Sequence, residues 1–247
     1  MTKEKDYFSF NTGVVAYPLL FVLAIWIVFW FEIRFGFDFN HFGVSPRSIV
    51  GLRGILFSPF IHSDMSHLWH NTLPLLILSA SLFFFYQNNA WKVLLIGVFM
   101  TGFLTWLIGR PANHIGASGV IYMLFGFLFF KGILAKHFRL IAVSFIVVFI
   151  YGSMIWYIAP IDPKISWEGH LSGLITGTLL ALLIRRGVAK PKRYIWESPD
   201  YNEEEDEFLK HFDENGNFIE RIPEEDVEIE EVKVIYNYKE DDTKHEG

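Results

Sequence analysis

The sequence has no cysteine in its 247 residues, so disulfide bonds, thiolate zinc sites and cysteine nucleophiles are all excluded. Acidic residues are scarce over most of the chain, because only 7 of the 27 Asp and Glu residues lie in residues 1–193. Apolar residues are abundant. They make up 52% of the sequence and stand in long blocks, and the mean hydropathy is +0.31. This composition is more apolar than that of an ordinary soluble domain and indicates a membrane protein.

Charge divides the chain into two parts of opposite sign. Residues 1–193 carry a net charge of +9, whereas residues 194–247 hold 20 acidic and 5 basic residues and carry −15. The acidity therefore belongs to the C-terminal part alone and gives no indication of a nucleic-acid partner. We predict a cytoplasmic N-terminal segment over residues 1–12, a membrane core over 13–187 and an acidic tail over 188–247. We expect the tail to be cytoplasmic and disordered or weakly folded, and its recruitment of a cytoplasmic partner is a hypothesis.

Six apolar runs are close to the roughly 20 residues that a helix needs to cross a bilayer. Because lipid offers no hydrogen-bond partners to the backbone, each run is expected to be a helix. The segment from Phe35 to Ser66 is a long first loop that Gly and Pro interrupt too often for a span, and its aromatic residues favour the membrane interface. The predicted spans are approximately 13–31, 67–86, 91–109, 116–130, 139–158 and 169–185.

The basic residues of the core predict its orientation in the membrane. With six crossings, eleven Lys and Arg residues lie on one side of the membrane and five on the other. By the positive-inside rule, the side with eleven faces the cytoplasm, together with both chain ends and the 131–139 loop. The first loop, the 159–168 loop and the starts of the second, fourth and sixth spans then face outward, and we expect the membrane to be the inner (plasma) membrane of a bacterium. The eleven are Lys3, Lys5, Lys92, Lys131, Lys136, Arg139, Arg185, Arg186, Lys190, Lys192 and Arg193, and the five are Arg34, Arg47, Arg53, Arg110 and Lys164.

The fourth apolar run is shorter than a full span. From Ile115 to Phe130 it has 16 residues. Such a run makes roughly 24 Å of helix against a hydrocarbon core of about 30 Å. If Lys131 lies at the cytoplasmic face, the helix begins below the outer surface, and the polar residues 109–114 form a re-entrant loop before it. Backbone of this kind is tolerated only inside protein or beside a water-filled cavity, so Ser118 is expected on the floor of such a cavity.

Glycines in the sixth span recur every four residues, at Gly169, Gly173 and Gly177. They make a smooth helix face against which a neighbour can pack closely, and His170 lies beside that face. Glycines in the fourth span likewise leave room for a neighbouring helix. Close packing of the fourth and sixth spans can therefore bring Ser118 and His170 within hydrogen-bond distance. The alternative is that the glycines only mediate packing and that Ser118 bonds to its own helix. An ionisable residue in a membrane span favours the functional interpretation.

Polar residues also mark the start of the second span. His67 and Asn71 are four residues apart and therefore share one face of a helix. Donors on such a face can stabilise the oxyanion of an acyl-transfer intermediate. The alternatives are a metal site or simple solvation of three histidines at the membrane interface. Zinc requires a third ligand and usually a carboxylate, and the H-E-x-x-H pattern is missing. We therefore predict neither a metal nor another cofactor.

Three motifs stand in order at the second, fourth and sixth spans. They are H-x(4)-H-x(3)-N at His62, His67 and Asn71, G-x-S-G-x-x-Y from Gly116 through Ser118 to Tyr122, and G-H-x-x-G from Gly169 through His170 to Gly173. Together they resemble the motifs of the rhomboid intramembrane serine proteases. The resemblance covers roughly residues 10–187 and departs from the family in the first loop, where Leu52-Arg53 replaces the usual Trp-Arg. It implies an all-α polytopic membrane protein, a six-transmembrane-helix rhomboid-like bundle with a long outer first loop and a short fourth helix entered by a re-entrant loop.

The resemblance implies a catalytic dyad that cleaves transmembrane segments of other membrane proteins near the outer face of the bilayer. Ser118 would be the nucleophile, and His170 would be the general base that takes its proton and returns it to the leaving amine. No acid is expected to complete a triad, because Glu168 is two residues before His170 and points to nearly the opposite side of a helix.

The resemblance also assigns supporting roles around the dyad. His67, Asn71 and the backbone N–H of Ser118 would hold the oxyanion, Tyr122 would pack against the base, and Gly116 and His62 would support the site.

Two other classes of function are compatible with a polytopic helical protein. A transporter or channel also uses polar residues near the midplane, but it usually shows repeat symmetry between its halves, which this sequence lacks. A catalytically silent rhomboid-like chaperone or binding protein would keep the fold and lose the serine or the histidine. The presence of both Ser118 and His170 favours the protease.

Overall fold

Seven α-helices form the architecture of the described part of the chain. The computed structural model describes residues 11–151, 156–184, 194, 196 and 198–219. Within these ranges it contains no β-strand, only two isolated antiparallel bridges, so the predicted all-α class is confirmed. The helices are α1 (Thr12–Phe35), α2 (Gly54–Phe57), α3 (Met65–Phe85), α4 (Ala90–Ile108), α5 (Ser118–Leu134), α6 (Phe138–Tyr151) and α7 (Trp167–Leu183).

Each predicted span overlaps one of the six longer helices. Three of them, α1, α3 and α4, are long and apolar enough to cross a membrane, with mean hydropathies of 2.5, 1.4 and 1.8 over a window of 18 residues. The helices α5 and α6 are apolar but shorter, and α7 has 17 residues. Since soluble domains rarely contain three such helices, the chain is an integral membrane protein.

Short polar side chains fix the starts of the helices that carry the predicted site. Asp64 is the N-cap of α3, and its carboxylate accepts the His67 N–H at 2.9 Å. Ser166 is the N-cap of α7, and its hydroxyl oxygen accepts the Gly169 N–H at 3.3 Å. A cap of this kind contributes about 1 kcal/mol, because it satisfies a donor that the helix itself cannot. The first turns of α3 and α7 are therefore well defined.

The helices α5 and α7 pack backbone against backbone. A Cβ added at Gly173 would collide with the carbonyl oxygen of Gly119, and a Cβ added at Gly177 would collide with that of Met123. No side chain therefore fits between the two helices at these points, and the first turn of α7 is held beside the first turn of α5.

The first loop is a string of short helical turns. Glycine allows it to fold back on itself, because a Cβ added at Gly54 would collide with the backbone of Gly43, and one at Gly51 with that of Ser45. Its turns are the 3₁₀ helix Asn40–Phe42, the 3₁₀ helix Val50–Arg53, α2 and the 3₁₀ helix Ser58–Phe60.

The end of α5 corrects the sequence analysis. The helix does not stop before Lys131 but continues to Leu134, so the predicted 131–139 loop is wrong at its first four positions. Lys131 is buried inside the helix, and its ammonium group donates to the backbone carbonyls of Ala181, at 3.1 Å, and Ile184. A charged residue does not end a helix when the carbonyl end of a neighbouring helix binds it.

Two other predicted boundaries differ from the structure. The helix α5 starts at Ser118, two residues later than predicted. The fifth predicted span, 139–158, is an α-helix only as far as Tyr151, and Trp156–Ile158 form a separate 3₁₀ turn. Residues 152–155 lie outside the described residues.

The chain divides into two compact units, Met1–Lys192 and Arg193–Gly247. In the second unit the described residues 198–219 form two 3₁₀ turns, at Glu203–Glu205 and Leu209–His211, and a bridge between Phe212 and Phe218. Apart from residues 194 and 196, the remainder of the predicted tail lies outside the described residues, as do the first ten residues of the N-terminal segment.

Candidate active site

The first residue of α5 and the first turn of α7 bring a serine and a histidine together. Ser118 Oγ lies 2.9 Å from His170 Nε2. The residues are 7% and 4% exposed, so the hydrogen bond is shielded from bulk water. The two residues that the sequence analysis paired are thus in contact, and the close approach of α5 and α7 is the reason.

The backbone determines which nitrogen of His170 carries its proton. His170 Nδ1 lies 2.9 Å from the Tyr157 carbonyl oxygen. Because a carbonyl oxygen only accepts, the neutral imidazole is protonated on Nδ1, and the lone pair of Nε2 faces the hydroxyl of Ser118. The serine therefore donates to the histidine, which is the direction that proton abstraction requires.

Glu168 belongs to a different set of contacts. Its carboxylate accepts the backbone N–H of Arg110 at 3.1 Å and lies 3.5 Å from the Arg110 guanidinium. Within the described part of the chain, no carboxylate hydrogen-bonds to His170. The site is therefore a pair of residues, Ser118 and His170, and the group that bonds to His170 Nδ1 is the Tyr157 carbonyl rather than a carboxylate.

Tyr122 lies one helical turn after Ser118 and stacks on the imidazole of His170. The ring centroids are 4.2 Å apart and the ring planes differ by 12°. Tyr122 is fully buried, so the stack is enclosed by protein. It limits the rotation of the imidazole about its side-chain bonds.

Two polar side chains of α3 lie over the backbone just before Ser118. Gly116 has a φ of +104°, which favours glycine. A Cβ added there would lie 2.6 Å from His67 Nε2 and 3.8 Å from Asn71 Nδ2. His67 and Asn71 therefore approach the peptide backbone next to Ser118, and Gly116 leaves the space that they need.

His62 lies behind His67, with their ring centroids 5.0 Å apart. It is 2% exposed. Burial, and then the proximity of His67, lowers the pKa of His62 to about 3, although the backbone of Phe60 partly offsets this effect. His62 is consequently a neutral, enclosed residue that packs beneath the site at pH 7.

A cavity of about 840 Å³ opens onto Ser118 and His170. Its lining includes both acidic and basic groups. It also includes four residues of the non-helical 109–114 segment that the sequence analysis expected beside a water-filled space, namely Arg110, Ala112, Asn113 and His114. The cavity is large enough for several residues of an extended peptide. Among the charged and polar residues that line it are Asp64, His67, His70, Arg110, Asp162 and Lys164.

Sequence reasoning missed three parts of this site. The Tyr157 carbonyl left no signal, because every residue has a carbonyl. His114 and Ser166 form a hydrogen bond between the two loops that border the cavity. The signal for His114 was its place in the polar segment 109–114, which was interpreted as a loop without roles for its side chains.

Comparison with known proteins identifies the family. A family model described as Rhomboid domain matches residues 51–187, which is more than half of the chain. The uncharacterized proteins Rv1337 of Mycobacterium tuberculosis and Mb1372 of Mycobacterium bovis are each 33% identical over 176 residues, or 67% of this chain and 73% of theirs. The uncharacterized protein ML1171 of Mycobacterium leprae is 35% identical over 143 residues, or 54% of this chain and 56% of its own. Together with the buried Ser118–His170 contact on an all-helical scaffold, these matches show that the chain belongs to the rhomboid family.

Proposed function

We propose that the chain is an intramembrane serine endopeptidase that cleaves transmembrane segments of other proteins with a Ser118–His170 dyad. The observation that carries the proposal is the 2.9 Å hydrogen bond between Ser118 Oγ and His170 Nε2. The other ring nitrogen, Nδ1, donates to the Tyr157 carbonyl. A serine is a weak nucleophile unless a neighbouring base takes its proton, and the lone pair of Nε2 is in position to do so.

The chemistry proceeds in two steps. Ser118 Oγ attacks the scissile carbonyl carbon while His170 Nε2 takes the hydroxyl proton, and the imidazolium then gives that proton to the leaving amine. The acyl-enzyme is next hydrolysed by a water that His170 deprotonates, which releases the new carboxylate and restores Ser118. In both steps the Tyr157 carbonyl keeps its hydrogen bond to Nδ1–H, so the imidazolium retains a partner.

The oxyanion of each tetrahedral intermediate has three proposed donors. The backbone N–H of Ser118 belongs to the first residue of α5, where the helix dipole favours negative charge. His67 and Asn71 add side-chain donors from α3, and their approach to Gly116 supports this role. Removing a single donor of this kind typically costs about 10²- to 10³-fold in kcat.

The membrane arrangement follows from the lengths and charges of the helices. We propose that α5, α6 and α7 cross the bilayer together with α1, α3 and α4, so that the core has six crossings. The 17 residues of α5 give roughly 26 Å of helix, so it begins below the surface and the 109–114 loop is re-entrant. The basic residues favour a cytoplasmic position for both chain ends and an outward cavity in a bacterial inner membrane.

The cavity geometry favours a particular class of substrate. A peptide has to be extended for its carbonyl carbon to reach Ser118, so a helical substrate must unwind locally. Transmembrane segments with Gly, Pro or polar residues near the outer face are the easiest to unwind. The proposed partners are therefore membrane proteins with such segments, whereas the acidic tail after residue 187 is proposed as a cytoplasmic appendage that recruits a soluble partner.

Cleavage of a model transmembrane substrate by the purified full-length chain tests the proposal. We expect the wild type to cleave it and both Ser118→Ala and His170→Ala to abolish cleavage. Ser144→Ala is the matched control, because Ser144 is a buried serine in α6 whose hydroxyl donates to the Leu140 carbonyl of its own helix at 2.8 Å. Undiminished cleavage by Ser118→Ala would contradict the proposal. A folded wild type that binds the substrate without cleaving it would favour a catalytically silent chaperone instead.

A further inference from the structure

The loop before α5 and the loop before α7 share hydrogen bonds that the dyad itself does not use. His114 Nε2 lies 3.1 Å from the Arg110 carbonyl oxygen, and His114 Nδ1 lies 2.6 Å from Ser166 Oγ. Because the carbonyl only accepts, the neutral ring is protonated on Nε2, and Nδ1 accepts from the Ser166 hydroxyl. Burial lowers the pKa of His114, which keeps the ring neutral near pH 7. The hydroxyl of Ser166 is thereby fixed in direction.

Ser166 is bonded in turn to the helix that carries the base. Its hydroxyl oxygen accepts the Gly169 N–H at 3.3 Å, and its carbonyl oxygen accepts the His170 N–H at 3.2 Å. The first turn of α7 is thus attached to Ser166 through both side chain and backbone. A continuous series of hydrogen bonds connects the ring of His114 to the backbone of His170.

The other end of this series is also anchored. The backbone N–H and carbonyl of His114 each bond to Val44 of the first loop at 2.9 Å. The Arg110 guanidinium donates to the carbonyls of Pro163 and Ile165, at 2.7 and 2.9 Å, in the loop before α7. His114 therefore sits on a fixed backbone, and Ser166 is preceded by a loop that is tied to the same segment.

We infer that His114 and Ser166 are positioning residues that hold the imidazole of His170 in line with Ser118, through a hydrogen-bonded series from the His114 ring to the first turn of α7. The inference rests on the proposed protease function. Neither residue reacts with the substrate, and both act through the placement of the base. The competing explanation is that they only stabilise the fold.

Substitutions at Ser166 separate these explanations. Ser166→Ala removes the bonds to His114 and to Gly169, whereas Ser166→Thr keeps a hydroxyl that can make both. The kcat and KM for a model transmembrane substrate, together with the melting temperature, are measured on the full chain. We expect kcat of Ser166→Ala to fall by roughly 10- to 100-fold with KM unchanged, since a small displacement of a catalytic group costs that much. Ser166→Thr should restore most of kcat, and the control Ser144→Ala should behave as the wild type.

His114→Phe tests the opposite end of the series and leaves the hydroxyl cap of α7 in place. The phenylalanine ring has a similar size but makes neither of the two side-chain hydrogen bonds of His114. This variant tests the inference even if Ser166→Ala does not fold. We expect a loss of kcat with KM unchanged. We also expect the double variant to lose no more kcat than Ser166→Ala alone, because members of one unit are not additive.

The outcomes distinguish this inference from the proposed function. If the wild type does not cleave, the proposed function fails, and this inference fails with it. If the wild type cleaves and Ser118→Ala does not, but Ser166→Ala and His114→Phe keep the wild-type kcat, the positioning role alone is overturned. A rise in KM without a fall in kcat would overturn it as well, because the two residues would then act in substrate binding.

Discussion

The imidazole of His170 is oriented by three groups that carry no charge. The Tyr157 carbonyl accepts from Nδ1, the Ser118 hydroxyl donates to Nε2, and the ring of Tyr122 stacks on one face at 4.2 Å. In a triad, a buried carboxylate stabilises the imidazolium that forms during catalysis. A carbonyl dipole and an aromatic face can share that task, and they avoid the cost of burying an unpaired carboxylate.

Tyr122 provides a test of this arrangement at the scale of a single residue. Tyr122→Phe retains the stacked ring, whereas Tyr122→Leu removes it. An aromatic pair contributes about 0.5–1.5 kcal/mol, so kcat of the Leu variant should be about 2- to 10-fold below that of the Phe variant. The measurement is kcat for a model transmembrane substrate, and equal values for the two variants would show that the stack does not orient the base.

At the scale of helices, the site depends on how closely α5 and α7 approach. Gly173 and Gly177 of α7 lie against the carbonyl oxygens of Gly119 and Met123 in α5. The contact is also secured at its far end, where Lys131 of α5 binds the last carbonyls of α7. These contacts fix the position of α7 along α5, so the first turns of the two helices lie side by side. This placement brings Ser118 within hydrogen-bond distance of His170.

Gly177→Ala tests this contact far from the reacting groups. The added methyl group collides with the Met123 carbonyl, which is backbone and cannot move aside without shifting α5. Overpacking of this kind costs about 1–3 kcal/mol, so we expect a lower melting temperature in detergent and slower cleavage. Gly13→Ala in α1 is the matched control, because its closest neighbour is the movable ring of Tyr17. Equal melting temperatures for the two variants would show that the helix contact tolerates a side chain.

The sequence was sufficient to predict the six longer helices, because hydropathy is a local pattern. It was also sufficient for the Ser118–His170 pair, because glycine spacing and short motifs mark the two helices that carry it. It was insufficient for the end of α5, because the carbonyl partners of Lys131 lie 50 and 53 residues further along the chain. The bond between His114 and Ser166 spans 52 residues and joins two irregular loops, which no periodic pattern describes. The Tyr157 carbonyl has no side-chain signal at all.

At the scale of the whole membrane unit, buried histidines link stability to pH. His62 and His114 are only 2% and 5% exposed, and burial lowers the pKa of both. The folded protein therefore holds two neutral imidazoles that water would protonate readily in the unfolded chain. Because the unfolded state binds these protons at a higher pH than the folded state does, acid favours unfolding.

The size of this effect follows for His62, whose pKa falls from 6.5 to about 3. Its contribution to stability is fully present above pH 6.5 and declines as the pH falls towards 3. At pH 5 the loss is about 2 kcal/mol. We expect the melting temperature of the wild type to fall more between pH 7 and pH 5 than that of His62→Phe, which cannot titrate. Equal shifts in the two proteins would mean that His62 titrates alike in the folded and unfolded states.

The rate at which a fluorophosphonate modifies Ser118 in the full chain tests the dyad most directly, because it needs no natural substrate. The account predicts that the wild type and Ser144→Ala react at the same rate and that Ser118→Ala does not react. It predicts that His170→Ala reacts at least about 10²-fold more slowly, which is the lower range for the loss of a general base. Modification of His170→Ala at the wild-type rate, or labelling that persists in Ser118→Ala, would contradict the account.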